Sequence, residues 1–106
     1  MRTLESKIER DSWGRAADLM GVTSSKLVTP GETGWPDRIF WLPKGKPLLI
    51  EFKRPGEGPD PKQVYVHGLL RQLGYPVHVC DNVTDALALI RAALIERGIE
   101  CEWKEV

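Results

Sequence analysis

The fold is decided by residues 34–53, which read Gly-Trp-Pro-Asp-Arg-Ile-Phe-Trp-Leu-Pro-Lys-Gly-Lys-Pro-Leu-Leu-Ile-Glu-Phe-Lys. An opening turn, a strand, a short Pro/Gly/Lys loop and a second strand follow in order, so this stretch predicts a β-hairpin. Asp37 opens the first strand, while Glu51 and Lys53 close the second. Because residues two apart on a strand point to the same face, we expect the Glu51 carboxylate and the Lys53 ammonium to share one face.

The hairpin also predicts a small cluster of charges at one end of the sheet. The second strand returns beside the first, so Asp37 can lie near the Glu51–Lys53 pair. Two carboxylates and one lysine can bind a divalent cation and set a positive charge beside the water or phosphate that the cation orients. Charged strand ends are common, however, and the same residues are also compatible with a simple ion pair.

An amphipathic helix is predicted over residues 3–20, with Thr3 as its N-cap and Gly21 after its last turn. Its core face consists of apolar residues at helical spacing, namely Leu4, Ile8, Ala16 and Leu19. Glu9 lies at the margin of this face, one turn before Trp13. It is either an acid on a solvated helix face or a carboxylate that leans over the sheet towards the charge cluster.

A second amphipathic helix is predicted to begin at Asp60 or Pro61 and to end at Gly74, because Pro suits the first turn of a helix. Its expected apolar stripe consists of Val66, Leu69, Leu70 and Leu73. Gln63 lies at the N-terminal end of that face, and His67 follows one turn later. We interpret His67 as a partly buried helix histidine rather than as a catalytic group.

The remaining segments complete an alternating pattern. Residues 26–28 predict a short strand, and residues 54–61 predict a loop because they are rich in proline and glycine. A strand is expected over residues 76–80, followed by a helix that Asp81 and Asn82 lead into and that ends before Gly98, while residues 99–106 suit an edge strand or a frayed tail. The resulting order of helices and strands, αβββαβα, indicates an α/β domain with a mixed sheet flanked by helices.

Composition narrows the class of protein. The length of 106 residues favours a single domain over residues 1–106 with one modest core. The sequence has no apolar run of membrane-spanning length and no cysteine spacing typical of disulfide or zinc frameworks, and its first residues include no apolar segment of the kind expected for a signal peptide. We therefore expect a reducing, cytoplasmic compartment. The formal net charge is zero, which counts mildly against nucleic-acid binding, although basic residues gather in the middle of the chain.

The motifs taken together resemble a known nuclease core. Pro36-Asp37, thirteen intervening residues and Glu51-Phe52-Lys53 resemble the PD-(D/E)XK signature. With Gly34 before the proline and Gln63 downstream, the string is similar to the VRR-Nuc branch of that superfamily, the virus-type replication-repair nucleases. The similarity extends from about Glu5 to Cys80.

This resemblance implies a restriction-endonuclease-like core and a DNA endonuclease that depends on Mg²⁺ or Mn²⁺. Asp37 and Glu51 would be the direct metal ligands, helped by the backbone carbonyl of Phe52. Lys53 would position or help to deprotonate the attacking water and would offset charge on the scissile phosphate.

Two further residues match positions that accompany the metal site in this family. Glu9 corresponds best to the acid on the first helix, with Glu5, one turn earlier, as the alternative. Gln63 corresponds to the downstream glutamine. Both would hold metal-bound waters or a second ion.

The same resemblance leads to expectations about substrate and assembly. Phosphate contacts are expected from the basic residues Lys26, Arg38, Lys44, Arg54 and Lys62. By similarity to stand-alone phage and bacterial members, we expect a homodimer that cuts branched DNA such as Holliday junctions, in DNA repair within a bacterial or phage-infected cell. Candidate dimer contacts are Trp35, Trp41 and Trp103. The competing hypothesis is a non-catalytic nucleic-acid-binding or adaptor module.

Overall fold

The structure, a computed structural model, describes residues 3–98. The elements within this range follow the predicted order, and the expectation for residues 99–106 lies outside it. In chain order they are α1 (Leu4–Met20), β1 (Thr23–Lys26), β2 (Arg38–Trp41), a 3₁₀ turn (Pro43–Gly45), β3 (Leu48–Phe52), α2 (Pro61–Gln72), β4 (Val77–Cys80) and α3 (Val83–Glu96).

The four strands form one mixed sheet in the order β1-β2-β3-β4. The pairs β1–β2 and β2–β3 are antiparallel, whereas β3 and β4 run parallel and are joined through α2. All five residues of β3 are buried, as expected for a strand with a neighbour on each side and helices over both faces. The predicted hairpin and the predicted α/β class are confirmed.

The helices divide between the two faces of this sheet. Helices α1 and α3 pack together over the face that carries Leu48, Ile50 and Phe52, where the main hydrophobic core lies. Helix α2 covers the opposite face, because its Gln63 reaches the Glu51 side chain, which alternates with those three residues along β3. The core therefore lies on one side of the sheet and the Glu51 carboxylate on the other.

The caps of α1 and the N-cap of α2 form as the sequence predicts. Thr3 accepts a hydrogen bond from the Ser6 amide at the start of α1, and Gly21 adopts the left-handed conformation after its last turn. Asp60 caps α2, with Pro61 in its first turn. Among residues 3–98, no helix combines the length and the apolar character that crossing a membrane requires.

The first strand was predicted too late in the chain. It spans Thr23–Lys26 and not residues 26–28, because the register against β2 pairs Thr23 with Trp41 and Lys26 with Arg38. The apolar Val28, which suggested the strand, is exposed beyond its end. An edge strand needs a hydrogen-bonded partner more than it needs apolar residues, and here its residues are mostly polar.

The apolar stripes predicted for α1 and α2 were also partly wrong. Leu4, Leu69 and Leu73 are exposed. In α2 the covered positions are Val66 and His67, with Gln63 and Leu70 half-buried at the same helical spacing. In α1 a polar residue completes the core face, because Ser12 is fully buried and its hydroxyl donates to the Ile8 carbonyl at 2.7 Å.

Candidate active site

Asp37 lies immediately before β2, where three strands come close together. Its backbone carbonyl accepts a hydrogen bond from the Leu27 amide at 2.9 Å, which ties it to the end of β1. Its side-chain Oδ2 accepts a hydrogen bond from the Phe52 amide at 2.7 Å, which ties it to the end of β3. The Asp37 carboxylate is therefore held by backbone next to Glu51, as the hairpin predicted.

Glu51 is the buried acid of this site, with only 4% of its surface exposed. Its Oε2 accepts a hydrogen bond from Gln63 Nε2 at 3.0 Å and lies 3.9 Å from the Lys53 ammonium nitrogen. Its other oxygen, Oε1, is buried without a hydrogen-bond partner in residues 3–98. A buried carboxylate oxygen without a partner is costly, so this atom is well suited to receive a ligand.

The charge of Asp37 disfavours the charge of Glu51, whereas a side-chain hydrogen bond with Glu51 favours the charged form of Asp37. Burial, followed by the negative charge of Asp37, raises the pKa of Glu51 to about 8, although Lys53 opposes this shift. Burial likewise raises the pKa of Asp37, against the opposing effects of the Phe52 amide and of Lys26. Two adjacent acids with raised pKa values favour either a shared proton or a bound cation.

Gln63 is oriented by the start of α2. Its Oε1 accepts a hydrogen bond from the Asp60 amide at 3.0 Å, while its own amide donates to Asp60 Oδ1 at 2.9 Å. This capping box fixes which end of the side-chain amide faces the sheet. The NH₂ group therefore points at Glu51, and the carboxylate is held in place by the same contacts that begin the helix.

Gly34 allows the loop before Asp37 to lie against α2. Its φ is +91°, and a Cβ atom built there would lie 2.8 Å from both the Lys62 carbonyl oxygen and Lys62 Cγ, and 3.0 Å from Val66 Cγ2. A side chain would therefore meet both the strain of the left-handed region and a backbone clash. The motif glycine thus places the helix that carries Gln63.

Glu9 of α1 lies at the opposite edge of the site and is 7% exposed. Its Oε1 accepts from the Lys26 ammonium at 2.8 Å, and its Oε2 accepts from Arg38 Nε at 3.0 Å. Arg38 also donates to Ser24 Oγ and lies over the Trp13 ring at 5.0 Å. The interpretation of Glu9 as an acid on a solvated helix face is wrong, because it is buried and ion-paired.

The donor set fits one hard divalent cation. Asp37 and Glu51 provide adjacent carboxylates, and Glu51 Oε1 is free to coordinate, which suits an ion that takes one or two carboxylates plus waters and phosphate oxygens. The described part of the chain contains no group of three or more His, Cys, Asp or Glu side chains placed to hold a metal. Both Glu9 oxygens are already hydrogen-bonded to cations.

The predicted phosphate contacts are divided by the fold. Arg54 and Lys62 are exposed and flank the site, one directly after Lys53 and the other directly before Gln63. Lys26 also lies at the site, with 49% of its side chain exposed, whereas the Arg38 side chain is only 12% exposed. Lys44 lies in the 3₁₀ turn at the other end of the hairpin, so the fold does not bring it to the carboxylates.

Three features of the site were not anticipated. Lys26 links Glu9 to Asp37, since its ammonium nitrogen lies 3.9 Å from Asp37 Oδ1. His67 is almost fully buried, its Nε2 has no partner among the described residues, and burial lowers its pKa. Gly34 has a packing role beyond its turn. Gly34 carried a signal in the sequence through the Gly-x-Pro-Asp motif, and His67 was predicted to be a partly buried helix histidine, whereas the structure buries it almost fully.

Comparisons with known proteins agree with this geometry. The chain is 40% identical over 78 residues to "Putative nuclease p44" of Acyrthosiphon pisum secondary endosymbiont phage 1, a match that covers 74% of this chain and 83% of that protein. A solved structure described as "VRR_NUC domain" superposes with a TM-score of 0.74 at 30% sequence identity, covering 85% of this chain and 97% of that one. No family model matches the sequence.

Proposed function

The chain belongs to the VRR-Nuc family of nucleases, and we propose that it is a Mg²⁺- or Mn²⁺-dependent endonuclease that hydrolyses phosphodiester bonds in DNA. The observation that supports this most directly is the Glu51 oxygen Oε1. It is buried and without a partner in residues 3–98, and it lies on a carboxyl group whose pKa burial and Asp37 raise to about 8. A divalent cation would satisfy that atom and neutralise both acids.

Each side chain of the site has a role in this proposal. Asp37 and Glu51 would hold the cation, helped by the Phe52 carbonyl, and Gln63 keeps Glu51 oriented through its 3.0 Å hydrogen bond. When bound, the cation supplies charge stabilisation at the phosphoryl oxygens and makes a bound water more acidic.

Lys53 and Glu9 act around that pair. The Lys53 ammonium lies 3.9 Å from Glu51 Oε2, and in this proposal it aligns the attacking water and offsets charge on the scissile phosphate. Glu9 holds the cations Lys26 and Arg38 beside Asp37 and, through waters, supports the ion. Arg54 and Lys62, exposed on either side, contact the DNA backbone.

The first experiment is cleavage of labelled DNA by the purified protein with and without a chelator. We expect cleavage to stop in the chelator, to return with Mg²⁺ or Mn²⁺, and to fail with Ca²⁺, whose larger radius and looser coordination position the water poorly. Full cleavage in the chelator would overturn the metal mechanism. DNA binding without cleavage under every metal condition would favour the non-catalytic binding module instead.

We further propose that the enzyme is a homodimer that cuts branched DNA such as four-way junctions in DNA repair. A neutral chain offers a small basic patch, and a twofold pair would double it and set two cutting sites at a fixed separation. Light scattering gives the mass, and cleavage of a junction beside a linear duplex gives the preference. A stable monomer, or equal cutting of both substrates, would contradict this part alone.

Two exposed apolar surfaces are candidates for the dimer contact. Trp41 is half exposed on β2, with its indole NH donating to Ser25 Oγ, while Trp35 is partly buried and Trp103 lies outside the described residues. The outer face of α2 carries a row of exposed apolar residues, Val64, Tyr65, Leu69 and Leu73. Leu69→Glu and Trp41→Glu, compared by light scattering, would show which surface carries the contact, because a charge buried without a partner breaks an interface.

We also propose that one nuclease domain accounts for residues 1–106 and that the protein works in the cytoplasm of a bacterial or phage-infected cell. Limited proteolysis would reveal a second folding unit as a separate stable fragment. Cell fractionation would reveal any other location.

A further inference from the structure

Lys26 is an unusual neighbour for a metal site, because a positive charge already lies between two of its acids. The ammonium nitrogen is 2.8 Å from Glu9 Oε1 and 3.9 Å from Asp37 Oδ1. It therefore bridges the carboxylate of α1 and the carboxylate that opens β2. A cation that spans two carboxylates in this way occupies the kind of position that a second divalent ion would otherwise take.

The backbone directs Lys26 to this place. It is the last residue of β1, it pairs with Arg38 across the antiparallel ladder, and the next amide, that of Leu27, donates to the Asp37 carbonyl. Glu9 is held from its other side by Arg38, whose Nε lies 3.0 Å from Oε2. Glu9 has no oxygen left for a metal ion while both contacts persist.

The charge count of the site supports the same conclusion. Three carboxylates, Glu9, Asp37 and Glu51, face three side-chain cations, Lys26, Arg38 and Lys53. A second divalent ion between Glu9 and Asp37 would meet the Lys26 ammonium group at close range.

We propose that the Lys26 ammonium group takes the place of a second metal ion between Glu9 and Asp37, so that this nuclease binds a single divalent cation per chain. This inference rests on the proposed metal-dependent function and specifies its stoichiometry. Lys26 is a positioning residue in this view: it holds Glu9 and Asp37 at a fixed separation, and its side chain is half exposed.

The test is the number of Mn²⁺ ions bound per chain, measured without DNA by the loss of the free-ion signal in electron paramagnetic resonance. Wild type is expected to bind one ion. Lys26→Met keeps the apolar stem and removes the charge, so Glu9 Oε1 and Asp37 Oδ1 become available and a second ion should bind. Lys26→Arg should still bind one. Lys7→Met, which removes an exposed charge on the same helix as Glu9, is the matched control and should bind one.

The outcomes separate this inference from the proposed function. Two ions on wild type, or one ion on both wild type and Lys26→Met, would overturn the role of Lys26 while leaving a metal-dependent nuclease intact. No ion on wild type would overturn the proposed function itself. If Lys26→Met fails to show a cooperative melt, Lys26→Gln is measured in its place. A count of two ions on wild type overturns the inference whatever the variants show.

Discussion

Glu9 and Glu51 are two buried acids of one site, and their surroundings differ completely. Glu9 has a cation on each oxygen, at 2.8 Å and 3.0 Å. Glu51 has a neutral amide at 3.0 Å, a lysine at 3.9 Å and one oxygen with no partner among residues 3–98. Both acids are buried to a similar degree, so burial alone does not identify the reactive acid. What distinguishes them is whether the fold satisfies the charge or leaves it for a ligand.

The largest expected effect is on catalysis at the unsatisfied acid. Glu51→Gln should lower the cleavage rate at least about 10³-fold, because a metal ligand supplies several kcal/mol of transition-state stabilisation. Asp37→Ala and Lys53→Ala should likewise yield folded proteins that bind DNA without cutting it. Cleavage rates are compared with those of Glu57→Gln, an exposed loop acid that should change little. Near-normal turnover by Glu51→Gln would contradict the assignment of Glu51 as a metal ligand.

The satisfied acid should matter more for stability. Glu9→Gln leaves Lys26 and the buried Arg38 without their counter-ion, so we expect the free energy of unfolding to fall by about 2–3 kcal/mol. Activity should fall about 10- to 100-fold, because Glu9 no longer holds Lys26 beside Asp37. Urea unfolding and cleavage are measured beside Glu5→Gln, which should be near wild type. If Glu5→Gln proves the more damaging change, the acid of the first helix that belongs to the site is Glu5, one helical turn earlier, and not Glu9.

The Glu51 side of the comparison also depends on how closely α2 approaches. Gly34→Ala should lower the free energy of unfolding by about 2 kcal/mol, because φ is +91° and the new Cβ meets the Lys62 carbonyl. Gly31→Ala is the matched control, since its φ is +77° and nothing lies within 4 Å of the added carbon. Equal losses in the two variants would mean that backbone strain, and not packing against α2, explains the glycine.

The last expected effect is a pH dependence of stability that belongs to Glu51. Its pKa rises from an ordinary 4.5 to about 8 on folding, so between these values the folded state binds more protons than the unfolded state. Stability in a chelator should therefore fall as pH rises through this window, by at least about 1 kcal/mol, since one pKa unit corresponds to about 1.4 kcal/mol.

Glu51→Gln provides the control for that slope. It should flatten the dependence of unfolding free energy on pH between 5 and 8 and should be more stable than wild type at pH 8 without metal. Mn²⁺ should restore wild-type stability at pH 8, because it binds only the folded pair. A wild-type slope of the opposite sign would show that other groups dominate this range.

The sequence predicted the side of the site that follows chain-local rules. Strand alternation placed Glu51 and Lys53 on one face, the hairpin brought Asp37 to them, and the motif around Gly34 and Gln63 indicated the helix that covers them. These inferences succeed because the period of a strand, the return of a hairpin and the chemistry of a cap depend on neighbours in sequence.

The Glu9 side depends on contacts that no local rule specifies. The link from Lys26 to Glu9 spans 17 positions and that from Arg38 spans 29. Both lysine and arginine are ordinarily solvated, so their charges pointed to DNA contacts instead. The prediction placed β1 too late in the chain for a similar reason, because the register of an edge strand is set by its partner and not by its own residues.

The side-chain amide of Gln63 has two roles: it accepts a hydrogen bond in the first turn of α2, and it donates one that orients Glu51. Terminal turns open far more often than the body of a domain, so the site shares the local opening equilibrium of that turn. Catalytic competence should then be lost on heating before the cooperative melt. Amide hydrogen exchange at Gln63 and Val64 would report the fraction of time during which the first turn of α2 is open and Glu51 is not oriented.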